Sequence, residues 1–575
     1  MERAGGLVAH ARMLALVLVA YAAGIAVFHP FANVVYGGDD WAYAWSVKHL
    51  VETGELRASS WVTAAAVPQT LWGSLFVAAF GASPRTFNVA TLVASLFGLA
   101  LLYGLCLRSR LAPKSAALLT AFVAVTPHYS AYANSFMSDM YYAVLLIAAL
   151  FFFAASLERK SLMLAALGGS FAACAFLNRQ IGVAIPLAFG AALALGFARR
   201  RASFGFTVAL LASAVALPVL ILALYRIEPD WFGGRTIAQE WNFSRLGRRL
   251  GEVTLTLANV HSTLLYVAVL TLPFSFVWLY AARAAALAVF ERRRVLTLVL
   301  TGASLAVTLL RLVSGDSLRV RGEFLQAGAY GAAPLEFEGT IWRVLCCAAS
   351  VTAPFLLVAL AERVLSLWRN AANELELALF LAFCFAFHVF LTSTFVTYFN
   401  NYFLPLLPLA ALLVALSLEP GAGFSRVVAP VAFALAVLGA GVVNDAHFRK
   451  IEAGERIARE LEAGGVDGQL IFCNPSSWAF RYYEAAEADL HEHRKRGPLE
   501  LFRHVRDRSS FWIASPAVKP GERRWRKERT HEYSTLLGTS VLNVWRRNAA
   551  TPDEKRDENR RDERRRDERR RDERR

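Results

Sequence analysis

Two adjacent carboxylates, Asp39 and Asp40, follow an apolar run and stand in the phrase Tyr36-Gly-Gly-Asp39-Asp40-Trp41-Ala-Tyr43-Ala-Trp45, with Lys48, His49 and Glu52 just beyond. Like charges side by side near low dielectric hinder each other's ionisation, which is how a carboxylate becomes a base near neutral pH. The same pair could instead cap a helix that starts at Trp41. A second stretch, His128-Tyr-Ser-Ala-Tyr132-Ala-Asn134-Ser-Phe-Met137-Ser-Asp139, sets a single acid at the head of another apolar run. The helix macrodipole alone would favour an acid there, yet ionisable groups at membrane edges are costly enough to be read first as functional. A third stretch, Phe176-Leu-Asn178-Arg179-Gln180, interrupts apolar sequence with one cation. That arginine can snorkel to an interface, or its planar fork of donors can grip a phosphate.

The elements that must position these groups are membrane helices. Of 575 residues, 56% are hydrophobic and only 18% charged, more apolar surface than a soluble chain of this size can hide. A bilayer core needs about 20 apolar residues per helix, and by that rule the chain carries about 13 runs. They span 13–35, 86–107, 115–127, 140–157, 162–177, 181–198, 204–226, 263–282, 295–313, 343–362, 376–395, 402–418 and 426–443. The first run is read as a span rather than a cleaved signal peptide, because its apolar stretch is long for one and further runs follow. With a cytoplasmic N-terminus, the basic clusters Arg108/Arg110/Lys114, Arg159/Lys160, Arg199–Arg201, Arg292–Arg294 and Arg363/Arg369 all fall inside, as the positive-inside rule requires. Residues 30–85, 128–139, 227–262, 314–342 and everything after 443 are then exported, so the three chemical stretches share one face.

The fold class expected is an all-α polytopic membrane bundle, residues 1–443, followed by a small extracytoplasmic α/β domain over 444–548. That domain is expected to carry a strand at Leu470–Cys473 and a helix start at Asn474–Pro475. Residues 549–575 repeat an Arg-Arg-Asp-Glu-Arg unit with nothing apolar to bury, and are expected to stay disordered. A net charge of +16 does not point to nucleic acid, since the bases lie in short clusters between apolar runs and the tail's acids nearly balance its bases. Five cysteines, Cys106, Cys174, Cys346, Cys347 and Cys384, sit in apolar stretches and Cys473 in a polar one, with neither metal-type spacing nor a disulfide framework.

With these phrases in order, the membrane portion from about Met13 to Leu418 resembles the C-type glycosyltransferase superfamily. The branch it is most similar to holds the protein O-mannosyltransferases and the bacterial lipid A aminoarabinose transferases. The phrases that carry the likeness are the acid pair with a following tyrosine (Asp39, Asp40, Tyr43) and Asp139 in a Phe-Met-x-Asp setting. To these are added Arg179 ahead of a span containing Pro186, and the late Tyr402-Phe-Leu-Pro405. The resemblance implies a polyprenyl-phosphate sugar donor, an inverting displacement and a first-loop Asp as base, carried onto Asp39 with Asp40 as the alternative. Asp139 would hold the acceptor, the base or a metal, and Arg179 would neutralise the departing lipid phosphate. Lys48, His128 and Tyr402 join it as donor-binding candidates. No cofactor is implied with certainty, and any divalent metal would fall to Asp39 and Asp139. The chain departs from the family pattern in carrying Asn400-Asn401 before Tyr402, where an arginine is common.

The function expected is transfer of a sugar from a polyprenyl-phosphate carrier to a lipid, glycan or protein on the extracytoplasmic face of a bacterial inner membrane, with membrane lipids as its other partners. The competing class is a transporter or lipid-linked sugar flippase. Transporters show internal repeats and charges buried mid-span, whereas this chain has no visible repeat and its notable acids lie at one face.

Overall fold

The computed structural model describes residues 2–28, 40–59, 62, 65–198, 204–232, 253–314, 338–370, 374–394, 400–418, 428–466, 471–472, 511–515, 525–535 and 538–547. The chain divides into two compact units, Met1–Phe448 and Arg449–Arg575.

The first unit is helical. In chain order its helices are α1 Glu2–Phe28, α2 Asp40–Thr53, α3 Val67–Phe80, α4 Pro84–Arg108, α5 Pro113–Val125, α6 Pro127–Tyr132, α7 Ser138–Arg159 and α8 Leu162–Asn178. After a 3-10 turn at Gln180–Val183 come α9 Ala184–Ala198, α10 Phe204–Ile227, α11 Val253–Ala281, α12 Arg283–Arg292, α13 Arg294–Val313, α14 Glu338–Arg369 and α15 Leu375–Thr394. A second 3-10 turn, Asn400–Phe403, leads into α16 Leu406–Ser417, and α17 Val428–Ala463 runs across the boundary between the units. Local sequence fixes many of the starts. Pro84, Pro113 and Pro127 open their helices at positions where a missing N–H costs nothing, and the hydroxyls of Ser83 and Ser161 accept the backbone N–H groups of Thr86 and Leu164.

Among the described residues eight helices are long and apolar enough to cross a membrane, and five shorter apolar helices accompany them. Large apolar side chains such as Leu75, Met163, Leu310 and Val313 stand exposed, as lipid-facing positions would. The chain is thus a multi-pass helical membrane protein. Its apolar helices differ from the sequence expectation at two places. The segment 30–85, read as a loop, holds α2 and the apolar α3, and the run 426–443 continues without a break into the charged residues of the 36-residue α17.

Close packing of α8 matters most for the site. A methyl group at Gly168 would lie 2.6 Å from the Phe153 ring of α7, and one at Gly169 only 2.2 Å from the Ala214 carbonyl oxygen of α10. Small residues let the backbones of membrane helices approach in this way, and they hold the C-terminal end of α8 beside the start of α7.

In the second unit the final turns of α17 bury Ala453, Ile457, Ala458 and Leu461 with Val544. Val544 belongs to a four-stranded mixed sheet of order β1-β2-β4-β3, formed by β1 Ile471–Phe472, β2 Phe511–Ser515, β3 Trp525–Thr535 and β4 Gly538–Arg547. β1 and β2 are parallel, whereas β4 pairs antiparallel with both β2 and β3. Asn474–Pro475 and the charged tail lie outside the described residues.

Candidate active site

The site is built around a short non-helical stretch, Ser135–Met137, between α6 and α7. Asp40 opens α2, where the helix N-terminus favours an acid, and it is only 2% exposed. Its carboxylate accepts the Ser135 hydroxyl at 3.1 and 3.2 Å and the Phe136 backbone N–H at 3.2 Å. From the other side Gln69 of α3 donates its Nε2 to the Phe136 carbonyl at 2.6 Å. The Phe136 ring packs on Phe87 and Tyr141, and comes so close to α3 that a methyl at Gly73 would lie 2.7 Å from it. Helices α2 and α3, both inside the segment read as a loop, therefore clamp the approach to Asp139.

Asp139 sits in the first turn of α7 and is 1% exposed. Arg179, the residue after α8, donates Nη2 to Asp139 Oδ2 at 2.7 Å and Nε to Ser138 Oγ at 3.0 Å. The Ser138 hydroxyl in turn donates to the Tyr43 phenolic oxygen at 3.0 Å, and Asn178 Nδ2 donates to the Ser138 carbonyl at 2.8 Å. The guanidinium lies over the Tyr402 ring, 4.9 Å from its centroid, a cation–π contact. Burial works against the Arg179 charge, but Asp139, with Tyr402, Tyr43 and Tyr132 around it, more than offsets this and raises its pKa above the ordinary value. A permanent cation is thus held almost out of water at one end of the bundle, beside a carboxylate and a set of phenols.

The bend that aims Arg179 depends on Gly182. Its N–H donates to the Arg179 carbonyl at 2.9 Å, and a methyl there would meet Phe176 N at 2.5 Å and Ala175 C at 2.7 Å. Both are backbone atoms and cannot rotate away. Gly182→Ala is expected to push the 3-10 turn off the end of α8 at about 1–3 kcal/mol, a typical penalty for overpacking. Thermal unfolding in detergent would register the loss, and an unchanged midpoint would show that the turn yields freely.

Among the sequence candidates, Asp139, Arg179 and Tyr402 come together, and Asp40 joins them through the clamped stretch. Asp39 lies outside the described residues. Lys48 forms an ion pair with Glu52 one turn along α2, at 3.8 Å. His128 is fully buried in α6, with Nε2 3.5 Å from the Tyr266 hydroxyl. Burial pushes its pKa down to about 3, so near neutral pH it carries no charge to offer a phosphate. Among the described residues no three His, Cys, Asp or Glu side chains gather as a metal site would need, and one Asp139 oxygen already holds Arg179.

The sequence reading passed over Ser135, Ser138, Gln69 and the donor role of Asn178. Small polar residues beside a lone charge were the available signal. It also missed His388, buried in α15. The Nδ1 of His388 lies 2.7 Å from the Cys384 carbonyl and so carries the proton, which leaves Nε2 to accept the Tyr142 hydroxyl at 2.6 Å. Tyr142 is one turn after Asp139, so this bond fixes the head of α7 against α15.

No known sequence family matches the chain, and no curated protein does. Among solved structures it is similar to ArnT from Cupriavidus metallidurans bound to undecaprenyl phosphate, at 14% identity and a TM-score of 0.38, over 94% of this chain and 98% of that one. It is similar also to the oligosaccharyltransferase AglB from Archaeoglobus fulgidus in complex with an inhibitory peptide and a dolichol-phosphate, at 13% identity and a TM-score of 0.41, over 79% of this chain and 58% of that one. A third similarity is to the arabinosyltransferase EmbB from Mycobacterium smegmatis, at 14% identity and a TM-score of 0.34, over 82% and 42% of the respective chains. Likeness at this level assigns no role to any residue.

Proposed function

We propose that this protein is a glycosyltransferase that moves a sugar from a polyprenyl-phosphate carrier to an acceptor hydroxyl, on the extracytoplasmic face of a bacterial inner membrane. The observation that carries the reading is the half-buried Arg179, held by Asp139 and Ser138 with phenols around it where α2, α7 and α8 meet. The acceptor oxygen would attack the anomeric carbon as the bond from that carbon to the phosphate oxygen breaks. A base takes the acceptor proton, and the lipid phosphate departs with its full charge. Such a leaving group needs a fixed cation more than it needs a proton, and Arg179 supplies one without reorganisation. The base role falls to Asp39, because Asp40 spends its oxygens on Ser135 and Phe136. Asp139 serves to aim Arg179.

A transporter would sooner carry its paired charges midway along its spans, whereas this pair lies at helix ends. Lipid extracts from cells with and without the protein separate the readings. Cells lacking it are expected to accumulate a polyprenyl-phosphate monosaccharide and to lose one glycosylated product. Unchanged lipid-linked sugars would overturn the proposal.

A further inference from the structure

We infer that His388 of α15 is a positioning residue for Arg179: by accepting the Tyr142 hydroxyl it sets the rotation of the first turn of α7, and with it the place of Asp139 and Ser138, which hold the guanidinium. This rests on the phosphate-handling function just proposed and names a further residue which that function requires. Asp139 and Tyr142 are three positions apart on α7 and so share one side of the helix, and Tyr142 lies within electrostatic reach of Arg179. The N-cap position of α7 is Met137, which makes no side-chain capping bond. Contacts from neighbouring elements must therefore settle how the first turn is rotated. Asn178 supplies one of them at the Ser138 carbonyl, and His388 supplies another at Tyr142.

The bond has one direction. His388 Nδ1 lies 2.7 Å from the Cys384 carbonyl, with Cys384 Sγ 3.6 Å from the same nitrogen, and because a carbonyl can only accept, Nδ1 donates. Nε2 keeps a lone pair, and the single hydrogen of the buried Tyr142 hydroxyl meets it at 2.6 Å. The helix that carries this acceptor is itself held firmly. Near its end, Asn259 of α11 donates Nδ2 to the Ser393 carbonyl at 3.0 Å, and the hydroxyls of Thr263 and Ser393 meet at 3.0 Å. Two turns before His388, the Phe380 ring packs against Phe153 of α7 and Phe189 of α9. α15 also packs against the 3-10 turn Gln180–Val183 that follows Arg179. Ring packing holds helices together without direction, whereas a short bond between one hydrogen and one lone pair tolerates little rotation of α7.

The test uses the full-length protein in nanodiscs. The donor is the labelled lipid-linked sugar extracted from cells lacking the protein, and membranes of those cells supply the acceptor. For each variant kcat, KM for the donor and the unfolding midpoint are measured. Interhelical hydrogen bonds in membranes contribute little to stability on average, so Tyr142→Phe is expected to unfold near the wild-type midpoint. Its kcat is expected to fall about 10-fold or more with KM unchanged, because a small misplacement of a group that acts in the transition state appears in the rate. His388→Gln sets an amide oxygen where Nε2 stood, can accept the same hydroxyl, and is expected to keep kcat within about 3-fold of wild type. His388→Leu offers no acceptor and should lose as much rate as Tyr142→Phe. The double variant His388→Leu/Tyr142→Phe removes both partners and strands neither, so it should fold and lose no more than either single variant. Wild-type kcat in the double variant, equal losses in His388→Gln and His388→Leu, or rate losses that track the unfolding midpoint across the series would overturn the positioning role alone. Wild-type protein that moves no sugar from this donor would overturn the proposed function and this inference with it.

Discussion

Arg179→Ala is expected to do two kinds of damage that a compensating change can separate. Removing the guanidinium strands Asp139, only 1% exposed, without its cation, and breaking a buried pair from one side costs about 3–5 kcal/mol. It also removes the donor to Ser138 and the charge over Tyr402. The single variant should therefore unfold at a markedly lower temperature and lose sugar transfer. Asp139→Asn on that background removes the orphaned charge and should recover much of the stability, but none of the transfer, because the cation is still missing. Thermal unfolding and a transfer assay on the same preparations check both halves. Activity recovered along with stability in the double variant would mean that Arg179 matters only for folding.

The parts of this site that were legible in the sequence were its charges. Asp139 and Arg179 stand alone in apolar stretches, so each drew notice without any three-dimensional information. Their pairing was not legible, because they stand 40 positions apart, with all but the first two residues of α7 and the whole of α8 between them. Position along the helix accounts for Lys48. The buried residues of α2 end at Val47, and Lys48 begins its less buried C-terminal half, where Glu52 is its neighbour. The α3 helix escaped notice for a different reason. Its 14 residues lie within the segment read as one exported loop, yet they supply Gln69 and the close approach at Gly73. His388 was invisible because a single imidazole in an apolar run has no pattern, and its bond to Tyr142 joins residues 246 positions apart.

The adjacent acids Asp39 and Asp40 offer the second large effect, since their chemical similarity makes them mutual controls. Asp40 is an anchor: it accepts a hydroxyl and a backbone N–H from the stretch that leads to Asp139. Asp40→Asn keeps one acceptor oxygen but turns a second donor toward Ser135, so it should lower the unfolding temperature and reduce transfer only as far as the clamp loosens. Asp39→Asn should behave in the opposite way. A general base contributes about 10²–10⁴ to the rate, so turnover should fall by that factor while the unfolding temperature and the affinity for undecaprenyl phosphate stay at wild-type values. Both variants are read by initial rates of transfer and by thermal unfolding. Full activity in Asp39→Asn, with a rate collapse and no loss of stability in Asp40→Asn, would exchange the two roles and make the hydrogen-bonded acid the base. Because the acids are adjacent, no difference in expression or membrane depth can explain such a split, and what distinguishes them is what each carboxylate touches.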